Sequence, residues 1–232
     1  MQSKMVGALK WSSSAEIVAK LIMPITNMIL ARLISPEDYG VVATVTMVIS
    51  FTDILTDAGF QKYIVQHEFN NKRELDNATN VAFWSNFTLS MILWILIILF
   101  QNPLATASGS EGLGYVIAIA GISMPLTAIS SLQMARLRRE FQYKKLFLVR
   151  FGALLLPLVV TVPLAILGFG YWSLIIGTIC GNLYNAVLLT IQSGWKPRLF
   201  YRFSLLRSML SYCVWTLLDS IAVWLTSWVD IF

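Results

Sequence analysis

The sequence predicts an all-α membrane protein, a polytopic bundle of seven membrane-crossing helices, and three observations support this fold class. Apolar residues make up 57% of the chain and charged residues 12%, with a mean hydropathy of +0.70, whereas soluble proteins carry about 25% charged residues. Apolar runs recur at the length of about 20 residues that a helix needs to cross a bilayer. The basic residues cluster in alternate connections between those runs.

The apolar runs are far longer than the strands of about ten residues in membrane barrels, so helices are the predicted element. Proline and glycine interrupt several runs, which membrane helices tolerate, and the first and last runs are more polar than the others. Tight turns at 35–38 and 168–170 predict two helical hairpins, joining segment one to two and five to six. The predicted segments are 12–34, 40–58, 78–101, 114–135, 149–167, 171–193 and 208–230.

The distribution of charge predicts the orientation of the chain. Of the 17 Lys and Arg residues, all but Lys20 and Arg32 lie in or beside the N-terminal stretch and the second, fourth and sixth connections. The remaining connections, 35–39, 102–113 and 168–170, contain no Lys or Arg. Because positively charged connections stay on the cytoplasmic side, the N-terminus is predicted to be cytoplasmic.

The sequence offers little for a metal, a cofactor or a nucleic acid. Cys180 and Cys213 lie within apolar segments, and His67 is the single histidine, so no metal site and no cofactor are predicted. The basic connections lie beside membrane segments and contain no nucleic-acid-binding motif, so no nucleic-acid partner is expected.

Six of the seven segments carry polar residues on one helical face, at spacings of three, four or seven. A charged side chain near the bilayer centre costs at least about 2.5 kcal/mol on insertion scales. These faces are therefore predicted to turn inward, toward a hydrogen-bonded bundle core or a hydrated cavity. In chain order they comprise Ser13, Glu16, Lys20 and Asn27; Thr46, Ser50, Asp53 and Asp57; Thr79, Asn86 and Ser90; Ser123, Thr127 and Ser130; Thr178, Asn182, Asn185 and Gln192; and Tyr212, Thr216, Asp219, Thr226 and Asp230.

Depth along the helices predicts partners for the embedded charges. Lys20 and Asp53 lie about 12 Å and about 9 Å from the basic boundary of the bilayer, so they are predicted to pair, with Glu16 as the alternative partner of Lys20. Two interpretations stay open. The pair has a structural role and neutralises two embedded charges, or Lys20 and Arg32 have a functional role and attract an anionic substrate into the cavity. Asp219 has no evident basic partner at its depth and is predicted to face a cavity or an absent part of the protein. The candidate cavity residues are Lys20, Arg32, Asn27, Asp53, Asp57, Asn182 and Asp219.

Several stretches, in order along the chain, resemble the polysaccharide flippases of the MOP exporter superfamily, which contains multidrug, oligosaccharidyl-lipid and polysaccharide exporters. LARLISPEDYG at 30–40 resembles the turn from helix one to helix two, and DAGFQKYIVQ at 57–66 resembles the end of helix two. LQMARLRREFQYK at 132–144 resembles the basic loop after helix four. GFGYWSL at 168–174 and GWKPR at 194–198 resemble the next two connections. The ordered set favours the Wzx-like branch.

The resemblance implies two six-helix lobes around a central cavity that work by alternating access. The implied substrate is an oligosaccharide unit on undecaprenyl pyrophosphate, moved from the inner to the outer leaflet for O-antigen, capsule or exopolysaccharide assembly. On this reading 1–193 is the N-terminal six-helix lobe, 194–207 a basic cytoplasmic linker, and 208–232 helix seven, the start of a missing second lobe. The expected location is the bacterial inner membrane. The expected partners are the bilayer, a lipid-linked oligosaccharide, and a C-terminal lobe or polysaccharide assembly proteins.

Other functions stay open. A cation-coupled multidrug exporter of the same superfamily would use acidic residues such as Asp53 and Asp57, whereas Lys20 and Arg32 favour an anionic substrate. A chain shorter than full-length family members is expected to need a second lobe or to be an inactive truncated remnant. An enzyme is not expected, because the longest external connection, 101–113, holds one ionisable residue.

Overall fold

The structure, a computed structural model, describes the backbone of residues 2–57, 59–107, 109 and 112–229. Within these ranges the side chains of residues 2–10, 12–15, 54–57, 217, 224 and 227–229 lie outside the described part. Three residues of the predicted polar stripes are affected: the side chains of Ser13 and Asp57, and the whole of Asp230, lie outside the description. The one ionisable residue of the 101–113 connection, Glu111, lies outside it as well.

The described part of the chain is all-α and contains no strand, which confirms the predicted fold class. Five residues of π-helix, Pro157–Thr161, join two of the helices where Pro157 removes a backbone N–H from the hydrogen-bond ladder. In chain order the helices are α1 Gln2–Leu33, α2 Pro36–Asp57, α3 Phe60–Gln66, α4 Lys72–Leu99, α5 Gln101–Ala107, α6 Gly114–Ala120, α7 Ser123–Arg139, α8 Tyr143–Leu156, α9 Val162–Ile166, α10 Tyr171–Gln192 and α11 Phe203–Val229.

Each of the seven predicted segments is mainly helical over the residues that the structure describes. Four helical stretches of the described residues are long and apolar enough to cross a membrane, namely Lys72–Leu99, Gly114–Arg139, Tyr143–Ile166 and Tyr171–Gln192. The structure adds two short helices, α3 and α5, within stretches that the sequence analysis treated as connections. It also begins α11 at Phe203, five residues before the predicted start of segment seven.

The fourth predicted segment is divided between α6 and α7. At the break the backbone N–H of Ile122 donates to the carbonyl of Ile119 (3.1 Å) instead of the carbonyl of Ala118. The Trp94 indole N–H donates to that Ala118 carbonyl at 2.9 Å, so the freed acceptor is satisfied. Gly121 provides the room, because a Cβ there would lie 2.8 Å from the Trp94 ring.

The connections fall at two ends of the bundle, as the alternating charge pattern predicts. At one end Arg139 donates to the carbonyls of Ile64 (2.8 Å) and His67 (2.6 Å), and Lys145 donates to the carbonyl of Gln192 (3.0 Å). These contacts gather α3, the end of α7, the start of α8 and the end of α10, and we call this the basic end.

The opposite end holds the connections without basic residues. The hydroxyls of Tyr115 and Tyr171 lie 3.2 Å apart there, and a Cβ at Gly170 would lie 3.0 Å from the Asp38 carboxylate. The turn before α2 is fixed by a reciprocal cap: the Ser35 hydroxyl donates to Asp38 (2.9 Å) and accepts from the Asp38 N–H (3.1 Å).

The polar stripe of α4 packs against α7 and forms part of the bundle core, although its partner on α7, Ser131, lies next to the predicted α7 stripe and is not a member of it. The Asn86 amide donates to the Ser131 hydroxyl at 2.9 Å, and both residues are buried. Thr79 and Ser90 are also buried, and their hydroxyls donate to carbonyls of α4 itself. Hydrogen bonds of this kind hold membrane helices together, so here the first of the two predicted alternatives, a hydrogen-bonded core, applies.

The first two helices do not pack along each other as the predicted hairpin would require. α1 packs along α8 and α9, whereas α2 packs against α4, α6, α7, α10 and α11. Both α1 and α2 turn polar residues toward α10. This divergence exposes the polar face of α10.

Candidate functional site

One face of α10 forms the floor of a polar groove, which we take as the candidate functional site. Thr178, Asn182 and Asn185 share this face at spacings of four and three residues. α10 begins at Tyr171 and ends at Gln192, so the three residues lie about 10 Å or more from either end of the helix. The polar floor therefore occupies the middle of a membrane-crossing helix.

The first wall of the groove comes from α1. A cavity of about 350 Å³ separates α1 from α10 and the π-helical stretch, and its lining includes Thr26 and Asn27 of α1 together with all three floor residues. The Thr26 hydroxyl donates to its own helix at Ile22 (3.0 Å). The exposed Asn27 amide makes no hydrogen bond within the described residues and is therefore available to a ligand.

The second wall comes from α2. A smaller cavity of about 180 Å³ lies between α2, α7 and α10, and α2 lines it with Thr46, Ser50 and Asp53. Thr178 and Asn182 of the floor line this cavity as well as the first one. The two cavities therefore meet on α10 and form one groove with α1 and α2 as its sides.

Two close helix contacts fix the floor. A Cβ at Gly177 of α10 would lie 1.9 Å from the Thr161 hydroxyl, and a Cβ at Gly152 of α8 would lie 1.7 Å from the Tyr184 hydroxyl. Small residues allow membrane helices to approach closely. The absence of these two side chains lets α8 and the π-helical stretch pack closely against α10, which holds the groove floor in place.

The groove continues toward the basic end into a third cavity of about 400 Å³. Ala153 and Asn185 line both this cavity and the α1 cavity. Arg138, Arg150 and Trp11 are among its other lining residues. A polar path therefore runs from the middle of the bundle to a mouth with two arginines.

Six of the seven predicted cavity residues fall into three groups, and the seventh, Asp219, does not line these three cavities. Asn27, Asp53 and Asn182 line the groove. Lys20 is exposed on α1, two helical turns before Asn27 and so on the same side of that helix. Arg32 is exposed in the last turn of α1 and does not line these three cavities, and the side chain of Asp57 lies outside the described part.

The ion pairs of the described residues differ from the sequence-based pairing. Glu16 pairs with Arg150 at 3.1 Å, so the charge expected as an alternative partner of Lys20 is used by α8. A Lys20–Asp53 pair is not among the ion pairs of the described residues, and this pairing stays a prediction.

The expectation that Asp219 lacks a basic partner in this chain is wrong. Asp219 of α11 lies 3.6 Å from Lys62 of α3, and both side chains are largely exposed. The sequence analysis placed Lys62 in a loop, whereas residues 60–66 fold as a helix that packs against α7 and α11. The helical register carries Lys62 to the side chain of Asp219.

Sequence reasoning missed a buried charge cluster at the basic end. Arg136 pairs with Asp76, lies 4.0 Å from Glu140 and places its guanidinium 5.5 Å from the centre of the Trp195 ring. Its side chain is only 4% exposed. The many basic residues in 132–144 predict a positively charged connection. Their pattern in the sequence does not distinguish a buried arginine from its exposed neighbours.

Comparison with known proteins adds a family to this geometry. The sequence model of the family described as "Polysaccharide biosynthesis protein" matches residues 29–232. No solved structure matches the chain at a comparable stringency.

Two curated bacterial proteins are similar to the chain. The succinoglycan biosynthesis transport protein ExoT of Rhizobium meliloti (strain 1021) is 30% identical over 76% of this chain and 35% of its own length. The lipopolysaccharide biosynthesis protein WzxC of Escherichia coli (strain K12) is 22% identical over 98% of this chain and 46% of its own length. The chain thus spans less than half the length of these relatives.

Proposed function

Because the chain belongs to the polysaccharide biosynthesis protein family, we propose that it forms one lobe of a transporter that moves lipid-linked oligosaccharide units across the bacterial inner membrane. The units would be used to build an extracellular polysaccharide. The groove floor on α10 is the observation that carries this proposal, since it places amide and hydroxyl groups in the middle of a membrane bundle.

The groove chemistry suits a sugar. Asn27, Asn182 and Asn185 each offer an amide donor and an amide acceptor, and Thr178 adds a hydroxyl. Sugar hydroxyls both donate and accept, so neutral amides match them without the cost of desolvating a charge. Lys20 stands beside the groove on α1, where it would attract the phosphate groups of a lipid carrier.

A second lobe would cover the open side of the groove, between α1 and α2, and so close the pathway. Transporters of this kind bind substrate near the midplane, between repeats that move against each other, and the present groove opens between α1 and α2. The relatives, whose names state succinoglycan transport and lipopolysaccharide biosynthesis, are more than twice as long as the part that this chain matches. The proposed mechanism is alternating access between this lobe and a second one, with the basic end in the cytoplasm.

A complementation assay tests the proposal. The chain is produced, alone and with the C-terminal lobe of a relative, in a strain that lacks its flippase, and surface polysaccharide and accumulated lipid-linked units are measured. We expect polymer only when both lobes are present. The proposal is contradicted if no surface polysaccharide forms although both lobes are present in the membrane. It is also contradicted if the cells export cationic drugs and form no polysaccharide.

Substitution of the groove floor makes the assay specific. Asn182→Leu removes an amide shared by two cavities and is expected to lower export about tenfold, the equivalent of one lost buried hydrogen bond. The same change at Asn77, which does not line the three cavities, serves as the matched control. Equal export by the two variants would remove the groove from the mechanism.

Reporter fusions test the orientation. Green fluorescent protein joined at the basic end should fluoresce, and alkaline phosphatase should be active only when inserted in a connection of the opposite end, such as 168–170. The reverse pattern would place the basic end outside and contradict inward loading.

A further inference from the structure

The cavity at the basic end is bounded by α1, α7, α8 and α10. Its volume is about 400 Å³, and its lining combines two arginines with aromatic and apolar side chains. We call it the basic mouth and define it by Trp11, Arg138, Tyr143, Phe147, Arg150 and Asn185.

The charge balance of the basic mouth is positive. Arg138 and Arg150 line it, and the Lys144 ammonium lies 5.9 Å from the centre of the Trp11 ring at its edge. Among the described side chains, Glu16 is the acidic group that meets these cations, through its 3.1 Å contact with Arg150. One described carboxylate against three described cations leaves the mouth able to accept an anion.

Arg138 differs from its neighbours on α7. Arg136 is paired in the buried cluster, and Arg139 donates to backbone carbonyls of the segment after α2. The Arg138 guanidinium has neither an ion pair nor a side-chain hydrogen bond within the described residues, and it lines the mouth. A topological role for positive charge requires only a position near the membrane surface, so it does not account for a guanidinium directed at a cavity.

The apolar walls indicate what carries the anion. The centres of the Trp11 and Phe147 rings lie 5.1 Å apart. The other apolar lining residues are Met134, Leu146, Val149, Ala153 and Leu189. A free inorganic anion gains nothing from such walls, whereas a lipid buries its hydrocarbon against them while its phosphate meets the arginines. Trp at this level of a membrane protein also suits the interfacial zone.

From this arrangement we propose that the basic mouth binds the phosphate group of a lipid headgroup. The proposal rests on the transport function proposed above for its second part: the bound lipid is the phosphorylated carrier of the sugar, held before the sugar moves along the α10 floor. Asn185, which lines both the mouth and the groove, is the point where one site passes into the other.

Binding to the purified chain in dodecylmaltoside micelles tests the site without a second lobe. The probes are farnesyl diphosphate, dioleoylphosphatidylglycerol and the net-neutral dioleoylphosphatidylethanolamine, each titrated by microscale thermophoresis. We expect farnesyl diphosphate to bind most tightly. Arg138→Gln with Arg150→Gln should weaken its binding about tenfold or more, since two charge-assisted phosphate contacts are lost.

Two further variants separate binding from folding. Glu16→Gln frees Arg150 and should strengthen binding about threefold, a direction that partial unfolding cannot produce. Arg73→Gln removes an exposed positive charge of α4 outside the mouth and should leave binding unchanged. Equal weakening by Arg73→Gln and by the double variant, or no weakening by the double variant, overturns the site.

The probes distinguish the two sources of the phosphate. Tight binding of farnesyl diphosphate that depends on Arg138 and Arg150 supports a carrier-loading site. Dependence seen only with phosphatidylglycerol overturns the loading role and assigns the mouth to a membrane phospholipid. Normal binding in micelles together with failed export in cells contradicts the transport function and leaves the site standing.

Discussion

Three arginines near the end of α7 lie within four residues of each other but in different environments, which permits a sharp stability prediction. Arg136→Met keeps the aliphatic stem and removes a guanidinium whose side chain is 4% exposed. Breaking a buried ion pair costs about 3–5 kcal/mol. Asp76, the carboxylate left behind, is 35% exposed and keeps part of its hydration, so we expect a loss near the lower end, about 3 kcal/mol.

The neighbouring arginines supply matched controls. Arg139→Met removes donors to the carbonyls of Ile64, Val65 and His67 and should cost about 2 kcal/mol. Arg138→Met changes an exposed side chain without a partner in the described residues and should stay within about 0.5 kcal/mol.

Removing the carboxylate of this ion pair in place of the guanidinium tests the same interaction. Asp76→Asn strands a guanidinium that is far more buried than the carboxylate, so it should cost at least as much as Arg136→Met. The double variant should lose less than the sum of the two single losses, because both remove the same interaction.

The free energy of unfolding is measured by titrating SDS into dodecylmaltoside micelles while following tryptophan fluorescence and circular dichroism. The expected order of loss is Arg136, then Arg139, then Arg138. If Arg136→Met costs less than about 1 kcal/mol, or no more than Arg138→Met, the cluster does not hold the basic end together and the reasoning fails.

Three smaller predictions use the same measurement. Gly177→Ala should lower the free energy of unfolding by about 1–3 kcal/mol, because the new methyl group overpacks against Thr161, and a second change, Thr161→Ala, should restore it. Gly181→Ala, with open space around its Cβ, should be neutral or slightly stabilising. Equal losses at both glycines would contradict the close contact. Trp84→Phe removes the 2.8 Å hydrogen bond from the indole N–H to the connection before α11. We expect it to lower the free energy of unfolding by about 1 kcal/mol and to speed trypsin cleavage in that connection. An unchanged cleavage rate would refute this prediction. Tyr212→Phe removes an exposed 2.5 Å hydrogen bond between α11 and α3 and should cost at most about 1 kcal/mol; a larger loss would mean that the phenol has a buried role.

Hydropathy predicted the helices well because the bilayer imposes their length. An apolar run of about 20 residues has no other stable arrangement in lipid, since every backbone polar group must be paired within the segment. Breaks in a run carry no such signal. The division at Gly121 depends on a neighbour, the Trp94 ring, which occupies the space that a Cβ would fill and donates to the freed carbonyl of Ala118.

The polar faces were predictable as faces, but their roles were not. The stripe of Thr79, Asn86 and Ser90, at spacings of seven and four, lies on one helical face just as that of Thr178, Asn182 and Asn185 does at spacings of four and three. The first meets α7 and becomes core, and the second lies where α1 and α2 diverge and becomes groove. Periodicity predicts which residues share one face of a helix, but it does not predict which other helix packs against that face.

The sequence by itself determined the class of protein, the helical segments, the polar faces and the two sets of connections, because these follow from composition and spacing along the chain. The resemblance of several ordered stretches to known flippases indicated the family. Only the tertiary structure decided partners: Glu16 with Arg150, Lys62 with Asp219, and Arg136 with Asp76. Each of these pairs joins residues from different helices. Their distances depend on how the helices rotate and cross, and that is fixed by packing at positions such as Gly152 and Gly177.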